Sequence, residues 1–163
     1  KQFVNLEKLV HVGGFLYDTA IYRCAYLKDE NMRAKVSIFA TGKMISVGSK
    51  SFEAAKHDLN CATRRLTELG LVSPTKIKTK LQNIVATGEL GHSVDLESVA
   101  SKLPNVIYEP EQFPSAIYYA RELEGASILI FANGKVVFAG LRRHELLEVA
   151  KSVLEDLTEL ISR

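Results

Sequence analysis

Apolar residues recur with two different periods in the first half of the chain, and these periods predict its elements. Helical spacing over 1–12 predicts a short helix capped by Asn5, and helical spacing after the N-cap Ser51 predicts a long helix that ends near Leu69. Alternating apolar residues predict three strands, at 15–27, 34–40 and 44–48. Thr41-Gly42-Lys43 between the last two strands favours a hairpin, because glycine adopts positive φ at little cost.

The second half repeats this order and adds one strand at its start. Asp95 or Ser93 caps a short helix that ends before Pro104, and an amphipathic helix follows over 142–162. The alternating segments predict strands at 77–87, 105–109, 115–121, 126–132 and 135–140. With 71–76 as a linker, the sequence predicts two domains, at 1–72 and 73–163.

An internal repeat relates the two predicted hairpins. Residues 38–48 (IFATGKMISVG) match residues 130–140 (IFANGKVVFAG) at a constant offset of 92 residues. A repeat of this kind predicts two similar lobes and a pseudo-two-fold axis. The first copy has no counterpart of residues 77–88, and we therefore expect it to be degenerate at its start.

Composition indicates a folded soluble protein and removes several classes of function. The 163 residues are 47% hydrophobic and 25% charged, and no apolar run approaches the roughly 20 residues of a membrane helix. The net charge of +2 neither indicates nor excludes a nucleic-acid binder, because binding depends on where the charges lie. The four histidines are scattered, and Cys24 and Cys61 belong to no CxxC pair. We therefore expect reduced cysteines, no metal, no cofactor and no catalytic activity.

Four segments together resemble a known family. In the second half they are QNIVAT at 82–87, YEPEQFPSAIYY at 108–119 and LIFANGKVVFAG at 129–140, and in the first half SIFATGKMISVGSKS at 37–51. These segments resemble the two repeats of the TATA-box-binding protein family, in its archaeal form. The resemblance covers essentially the whole chain from about residue 15. It is specific, because EPEQFP is followed by IFxxGK inside an internal repeat.

The resemblance implies an α+β fold, a pseudo-two-fold saddle whose curved antiparallel sheet carries helices on its convex face. It also implies that the concave face lies in the DNA minor groove and bends the duplex with aromatic wedges, a mechanism established for the family. The strands agree in part, because Ile45, Val85, Val137, Ile84 and Phe131 leave both strand faces rather apolar, and an exposed apolar face needs a partner. Alternation alone leaves open that this face is core.

The resemblance assigns aromatic wedges at the two ends of the DNA site. Three of the four wedge positions fall on Phe113, Phe131 and Phe39. When YDTAIYR is aligned with FPSAIYY, the fourth position falls on Tyr17. A tyrosine can still wedge, but its hydroxyl must then be solvated or hydrogen-bonded. For Phe131, Phe39 and Tyr17, a place in the core is the alternative.

Further positions match family residues that contact the floor of the minor groove. Asn83 matches a central asparagine, whose amide can donate to adenine N3 and thymine O2. Val85, Val137 and Ile45 match apolar residues. These disfavour G·C pairs, because the guanine amino group would be desolvated without a partner.

The family pattern breaks at Val47 and Ala139, where its members carry threonine. Both positions stay among the implied DNA contacts, but two hydrogen bonds to bases are missing. Each is worth about 1 kcal/mol net. We therefore expect a weakened preference for the TATA sequence.

Charged residues complete the implied contacts. Lys43 and Lys135 follow the turn glycines and lie near the expected phosphate path, where lysines supply affinity rather than sequence preference. Glu109, Glu111 and Gln112 match the C-terminal stirrup that contacts transcription factor B in the family. The alternative for both groups is an ordinary solvated surface.

The sequence therefore predicts a general transcription initiation factor that binds the minor groove of A·T-rich promoter DNA, bends it and recruits transcription factor B. Other initiation factors are further expected partners. The alternative is a paralogue that keeps the fold as a protein-interaction module and binds DNA weakly or not at all. We expect an intracellular protein, in the nucleoid of an archaeon or the nucleus of a eukaryote.

Overall fold

The described part of the chain divides into two compact units. The computed structural model describes residues 2–162, apart from the side chain of Ser162. The boundary between the units falls between Lys80 and Leu81, later than the predicted boundary after residue 72. The linker stays with the first unit because the Gln2 side chain accepts from Ser73 N and donates to Ser73 O, at 2.7 and 3.1 Å.

The first unit is a four-stranded antiparallel sheet with one long helix. A 3₁₀ turn at Leu6–Leu9 precedes the sheet, and its N-cap is Asn5, as predicted. The sheet order is β1-β2-β3-β4. Helix α1 begins after Ser51, whose hydroxyl accepts from Ala54 N as the predicted N-cap. The elements are β1 (Phe15–Leu16), β2 (Cys24–Leu27), β3 (Lys35–Phe39), β4 (Met44–Val47) and α1 (Phe52–Glu68).

The second unit has a five-stranded antiparallel sheet and two helices. Its strand order is β5-β9-β8-β7-β6, and a 3₁₀ turn at Arg121–Leu123 precedes β8. Asp95 caps α2 by accepting from Glu97 N. The elements are β5 (Ile84–Glu89), α2 (Leu96–Lys102), β6 (Val106–Ile107), β7 (Ser115–Tyr118), β8 (Ser127–Phe131), β9 (Lys135–Leu141) and α3 (Leu146–Ser162).

Each sheet buries one face against helices. In the first unit, Val36 and Ile38 of β3 belong to one core cluster with Ala62 and Leu66 of α1. In the second unit, the core-facing residues of β8 and β9 share a cluster with residues of α2 and α3, among them Ile128, Ile130, Val136, Val99 and Leu157. The predicted α+β class, with antiparallel strands covered by helices on one face, is confirmed.

The two units match strand for strand, with one exception. Strands β1 to β4 occupy the places of β6 to β9, and no described residue of the first unit occupies the place of β5. The backbone N–H of Val4 donates to Ala40 O, and that of Val94 donates in the same way to Ala132 O. Val4 is therefore equivalent to Val94, which follows β5 in the second unit. The described residues that precede Val4 are too few to form a counterpart of β5.

Several element boundaries differ from those predicted. The predicted helix over 1–12 is only the 3₁₀ turn, and α3 begins at Leu146 rather than at 142. The predicted strand over 15–27 is two strands, because Asp18 accepts from Ala20 N with its side chain and from Ile21 N with its carbonyl, which forms a turn. Residues 77–83, predicted as strand, have no strand partner, and pairing begins at Ile84.

Candidate nucleic-acid interface

The sheet face that points away from the helices is largely apolar in the second unit. Register pairs Thr87 with Val137, Val137 with Leu129, and Leu129 with Ile117. Ile117 in turn pairs with Ile107, so one row of mostly apolar side chains crosses all five strands. We call this surface the second open face; it comprises Val85, Thr87, Ile107, Ile117, Ser127, Leu129, Phe131, Val137 and Ala139.

The first unit has an equivalent surface, the first open face. Its row runs from Ile45 through Ser37 and Tyr26 to Leu16, which are paired across β4, β3, β2 and β1. Lys35, Phe39 and Val47 lie on the same side of their strands, by the alternation of the pleat. The first open face therefore comprises Leu16, Cys24, Tyr26, Lys35, Ser37, Phe39, Ile45 and Val47.

Both open faces are accessible to solvent. Val47 is 63% exposed, Val85 57% and Ile45 48%, whereas the opposite faces of the same sheets are buried against helices. The alternative interpretation, in which this face is core, is therefore wrong for Val85 and Ile45. Contiguous exposed apolar patches mark binding surfaces.

The predicted wedge residues Phe113 and Phe131 lie together at one edge of the second open face. Their ring centroids are 6.4 Å apart with planes at 60°, an edge-to-face arrangement. Phe113 is 42% exposed and Phe131 is partly buried. Phe39 is also partly buried and pairs with Cys24, as Phe131 pairs with Ser115. The three phenylalanines therefore lie on the side of their sheets that faces away from the helices.

In the first unit the structural equivalent of Phe113 is Tyr22, not Tyr17 as the sequence alignment predicted. Cys24 pairs with Phe39 as Ser115 pairs with Phe131, so the residue two positions before Cys24 is the equivalent of Phe113. The preceding turns agree with this assignment. The carbonyl of Asp18 accepts from the N–H groups of Ile21 and Tyr22, and that of Glu109 accepts from Gln112 and Phe113.

The two tyrosines have different surroundings. Tyr17 packs, partly buried, against the core of the first unit. Tyr22 lies edge-to-face on Tyr26, with ring centroids 5.3 Å apart. A hydrogen bond with the Cys24 thiol raises the pKa of Tyr26 above its usual value. Tyr22 thus packs on Tyr26 in the first unit, whereas its equivalent Phe113 packs on Phe131 in the second.

Asn83 stands exposed immediately before β5, and its amide is held in one orientation. Its Oδ1 accepts from the N–H of Gly140 at 3.0 Å. Since the oxygen is engaged, the Nδ2 group is the end that remains to donate, and no partner for it lies among residues 2–162. An amide oriented in this way can donate to acceptors on a bound molecule.

The predicted contact residues Lys43, Lys135, Glu109, Glu111 and Gln112 are all exposed. Lys43 and Lys135 are both exposed and follow the turn glycines of equivalent hairpins. Glu109, Glu111 and Gln112 are exposed in the turn before β7, where Gln112 N donates to Glu109 O at 2.9 Å. Nothing in the described structure pairs these side chains with one another.

The two positions that depart from the family pattern lie on the open faces. Val47 pairs across the strands with Lys35, and Ala139 pairs with Ser127. The side chains at these positions offer no hydrogen bond, while the residue opposite each one is polar. Sequence comparison located the two departures but missed their cross-strand partners.

The sequence also failed to identify most of the row residues. Leu129, Ile117, Ile107, Tyr26 and Leu16 belong to the open faces without having been singled out. The alternation of side chains along a strand could have identified some of them. Counting back in steps of two from Phe39 in β3 and from Phe131 in β8 gives Ser37, Lys35, Leu129 and Ser127.

Other kinds of site find no support in the described residues. Among residues 2–162, no three His, Cys, Asp or Glu side chains are grouped so that they could hold a metal ion. In the same part of the chain, no helix combines the length and the hydropathy needed to cross a membrane. Both cysteines are free thiols, Cys24 buried and Cys61 partly exposed.

Comparison with known proteins agrees with this geometry. The family model described as transcription factor TFIID, or TATA-binding protein, matches residues 1–69 and 78–160. The TATA-box-binding protein of Cenarchaeum symbiosum is 36% identical over 161 residues, which are 98% of this chain and 86% of that protein. The one from Thermococcus celer is 36% identical over 156 residues, 94% of this chain and 82% of that protein.

A solved structure gives the same result for the fold. The structure of Methanococcus jannaschii TBP matches 99% of this chain and 91% of its own, with a TM-score of 0.75 and 28% sequence identity. The family match covers both repeats, and the fold and the sequence relatives agree. The chain therefore belongs to the TATA-box-binding protein family of transcription initiation factors.

Proposed function

We propose that this protein binds the minor groove of A·T-rich promoter DNA through its two open faces, bends the duplex, and recruits transcription factor B. The observation that carries the proposal is the pair of exposed, mostly apolar sheet faces, which lie opposite the helices. An apolar surface fits the minor groove of A·T pairs, since these present only the acceptors adenine N3 and thymine O2. The guanine amino group would be buried without a partner on such a surface.

The aromatic pairs supply the bend. Phe113 and Phe131 stand at one edge of the second open face, and Tyr22 and Phe39 occupy the equivalent places in the first unit. Apolar side chains inserted between base steps unstack them and kink the duplex, as established for this family. Lys43 and Lys135 are exposed directly after the turns of equivalent hairpins and would neutralise phosphates.

The turn that contains Glu109, Glu111 and Gln112 is the proposed contact for transcription factor B. Its two carboxylates are exposed, and it stands next to the wedge residue Phe113. A basic surface on the partner would be steered towards such a turn. This part of the proposal is separable from DNA binding, because none of these three side chains belongs to an open face.

The test is DNA bending measured by fluorescence transfer between dyes at the two ends of an A·T-rich duplex. The wild-type protein should raise transfer efficiency, and Phe131→Ala should abolish most of the increase. Leu160→Ala, an exposed residue on α3 far in sequence from either face, is the control and should bend as wild type. A wild-type protein that fails to bind the duplex at low salt rejects the proposal.

A second function has one specific observation in its favour. Val47 and Ala139 lie on the open faces at positions where the family pattern implies threonine, so the faces lack the two base contacts that this pattern implies. A protein-interaction module that no longer binds DNA would have this property. In that case Phe131→Ala would leave the binding of transcription factor B unchanged, and the wild-type protein would not bend the duplex.

A further inference from the structure

We propose that Lys35 determines DNA specificity: its ammonium group donates to acceptors on the minor-groove floor beneath the first unit. The two units would then read their parts of the duplex by different chemistry. This inference rests on the proposed minor-groove function and names a contact within it. It concerns a residue of the first open face that the sequence motifs did not single out.

Lys35 is the cation of the first open face. It begins β3 and lies on the same side of that strand as Ser37 and Phe39. Its equivalent in the second unit is Ser127, since Lys35 pairs with Val47 as Ser127 pairs with Ala139. The unit that carries Lys35 therefore has a positive charge at a position where the other has a neutral hydroxyl.

The ammonium group has an aromatic partner and no acidic one. Its Nζ lies 5.3 Å from the centroid of the Tyr26 ring, within the range of a cation–π contact. Among residues 2–162, no carboxylate lies within salt-bridge distance of Lys35. The first open face itself carries no Asp or Glu. Tyr26 thus positions a cation whose charge no group of this face neutralises.

The row around Lys35 is also more polar than its equivalent. Ser37 and Tyr26 replace Leu129 and Ile117, at positions fixed by the strand register. Three adjacent positions of the first open face can therefore hydrogen-bond where the second has two aliphatic side chains and a serine. This difference in polarity lies in the middle of the sheet. It is away from the hairpin turn that precedes Lys43, which has its equivalent before Lys135 in the second unit.

A lysine on the groove floor reads bases in a definite way. Adenine N3 and thymine O2 accept hydrogen bonds, whereas the guanine amino group presents a donor to a second donor. Lys35 therefore favours A·T over G·C at the base pair it contacts. An inosine·cytosine pair has the same floor acceptors without the amino group, so Lys35 should tolerate it as it tolerates A·T.

The experiment measures the affinity of the wild-type protein and Lys35→Met for duplexes in which single A·T pairs are replaced by I·C or G·C. Lys35→Met should weaken binding to the A·T duplex about 10-fold, the loss expected for a hydrogen bond from a charged donor. The loss should persist with I·C and largely disappear when G·C occupies the contacted position. That position should lie in one half of the site.

Two further variants keep the result interpretable. Lys56→Met removes an exposed lysine of α1 and should change neither affinity nor base preference. The exchange variant Lys35→Ser/Ser127→Lys should move the sensitive position to the other half of the site. Melting temperatures of all variants would establish that they are folded.

Each outcome bears on the inference. Coupling between Lys35→Met and one base pair supports it. An equal loss on every duplex assigns Lys35 to phosphate, and no loss at all makes it a solvated residue; both overturn the inference and leave the proposed function standing. A wild-type protein that binds none of the duplexes overturns both.

Discussion

Tyr22 of the first unit and Phe113 of the second occupy equivalent positions. Each donates its backbone N–H to the carbonyl four residues earlier, at 2.8 Å and 3.0 Å, and each stands two residues before its strand. The proposed wedges are therefore three phenylalanines and one tyrosine. The tyrosine hydroxyl makes insertion at one end of the site less favourable, because it has to be solvated or hydrogen-bonded within the stack.

The first prediction is that Tyr22 contributes to DNA binding, whereas Tyr17 contributes to the stability of the fold. Tyr22→Ala should weaken DNA binding about 10-fold or more with little effect on melting temperature, since stacking on a base is worth about 1–3 kcal/mol. Tyr22→Phe should bind at least as well as wild type. Tyr17→Ala should instead lower the melting temperature, because Tyr17 packs on the core. The opposite pattern, with Tyr17→Ala losing DNA and retaining stability, would restore the alignment that the strand register rejects.

The failed alignment illustrates how far the sequence could lead. From Lys35 onwards the two hairpins match at an offset of 92, and glycine turns and caps located β3, β4, β8, β9 and α1. Upstream, Cys24 matches Ser115 at an offset of 91. The connection between β2 and β3 is therefore one residue shorter than that between β7 and β8. The alignment that selected Tyr17 instead superposed the AIY triplets of YDTAIYR and FPSAIYY, which requires an offset of 96. Loop length leaves no periodic signal, so only the register revealed it.

The sequence predicted apolar sheet faces, but it did not predict which of the two faces of each sheet would be exposed. Alternation told which residues share a face, yet not which face the helices would cover, because both faces of β4 and β9 are apolar in sequence. Burial against α1 and α3 decided this. The sequence did not identify Lys35 for a related reason, because a lysine at the start of a strand is usually a solvated residue. Its position over the Tyr26 ring depends on the pairing of β2 with β3.

A second prediction concerns the amide of Asn83. In Asn83→Asp the carboxylate can still accept from Gly140 N–H, so the fold should be retained, but the Nδ2 donor is replaced by a negative oxygen. DNA affinity should fall at least 10-fold, because the hydrogen bond from Nδ2 is lost and the added negative charge is repelled by base acceptors and phosphates. Fluorescence anisotropy and thermal melting measured together separate these effects. Equal affinity of Asn83→Asp and wild type would mean that Asn83 makes no contact with DNA.

The third prediction concerns the proposed partner contact. Glu111→Lys should reduce recruitment of transcription factor B to a preformed DNA complex, since it reverses a charge on the exposed turn, and should leave DNA affinity unchanged. Ala20 occupies the equivalent place in the first unit, because Asp18 matches Glu109. Ala20→Lys therefore adds the same side chain to the other turn and is the matched control. Gel-shift assays with and without the partner give both quantities. Equal loss in the two variants would point to a general charge effect.

The hairpin glycines supply a fourth prediction, on stability. Gly42 and Gly134 have φ of +77° and +83°, and a Cβ at either would overlap the carbonyl oxygen of Gln2 or His92. Gly48 has φ +91°, but a Cβ there would meet no other atom within 4 Å. Gly48→Ala should therefore cost only the backbone strain, roughly 1–2 kcal/mol. Gly42→Ala and Gly134→Ala should cost clearly more in urea unfolding, and a cost equal to that of Gly48→Ala would mean the carbonyls move aside freely.

The last prediction concerns the buried carboxylate of Asp58 in α1. Burial alone would raise its pKa, but the N–H groups of Arg33 and Ala34 donate to it at 3.0 and 2.9 Å, and with His57 and Ser49 they hold the pKa below its usual range. Because the folded pKa lies below the unfolded one, the ionised group stabilises the fold above the unfolded pKa of about 3.9. This stabilisation is lost as the pH falls through the folded pKa.

Asp58→Asn should accordingly be less stable than wild type at neutral pH, by about 1–3 kcal/mol, because each carboxylate oxygen accepts from one backbone N–H and asparagine replaces one of these oxygens with an NH2 donor. The difference between the two proteins should shrink below about pH 4, as the wild-type carboxylate takes up its proton. Glu155→Gln, at an exposed position of α3, is the control and should follow the wild-type curve. The measurement is the free energy of unfolding in urea from pH 2.5 to pH 7. A difference that stays constant over this range would mean that the charge of Asp58 contributes nothing and that its role is packing alone.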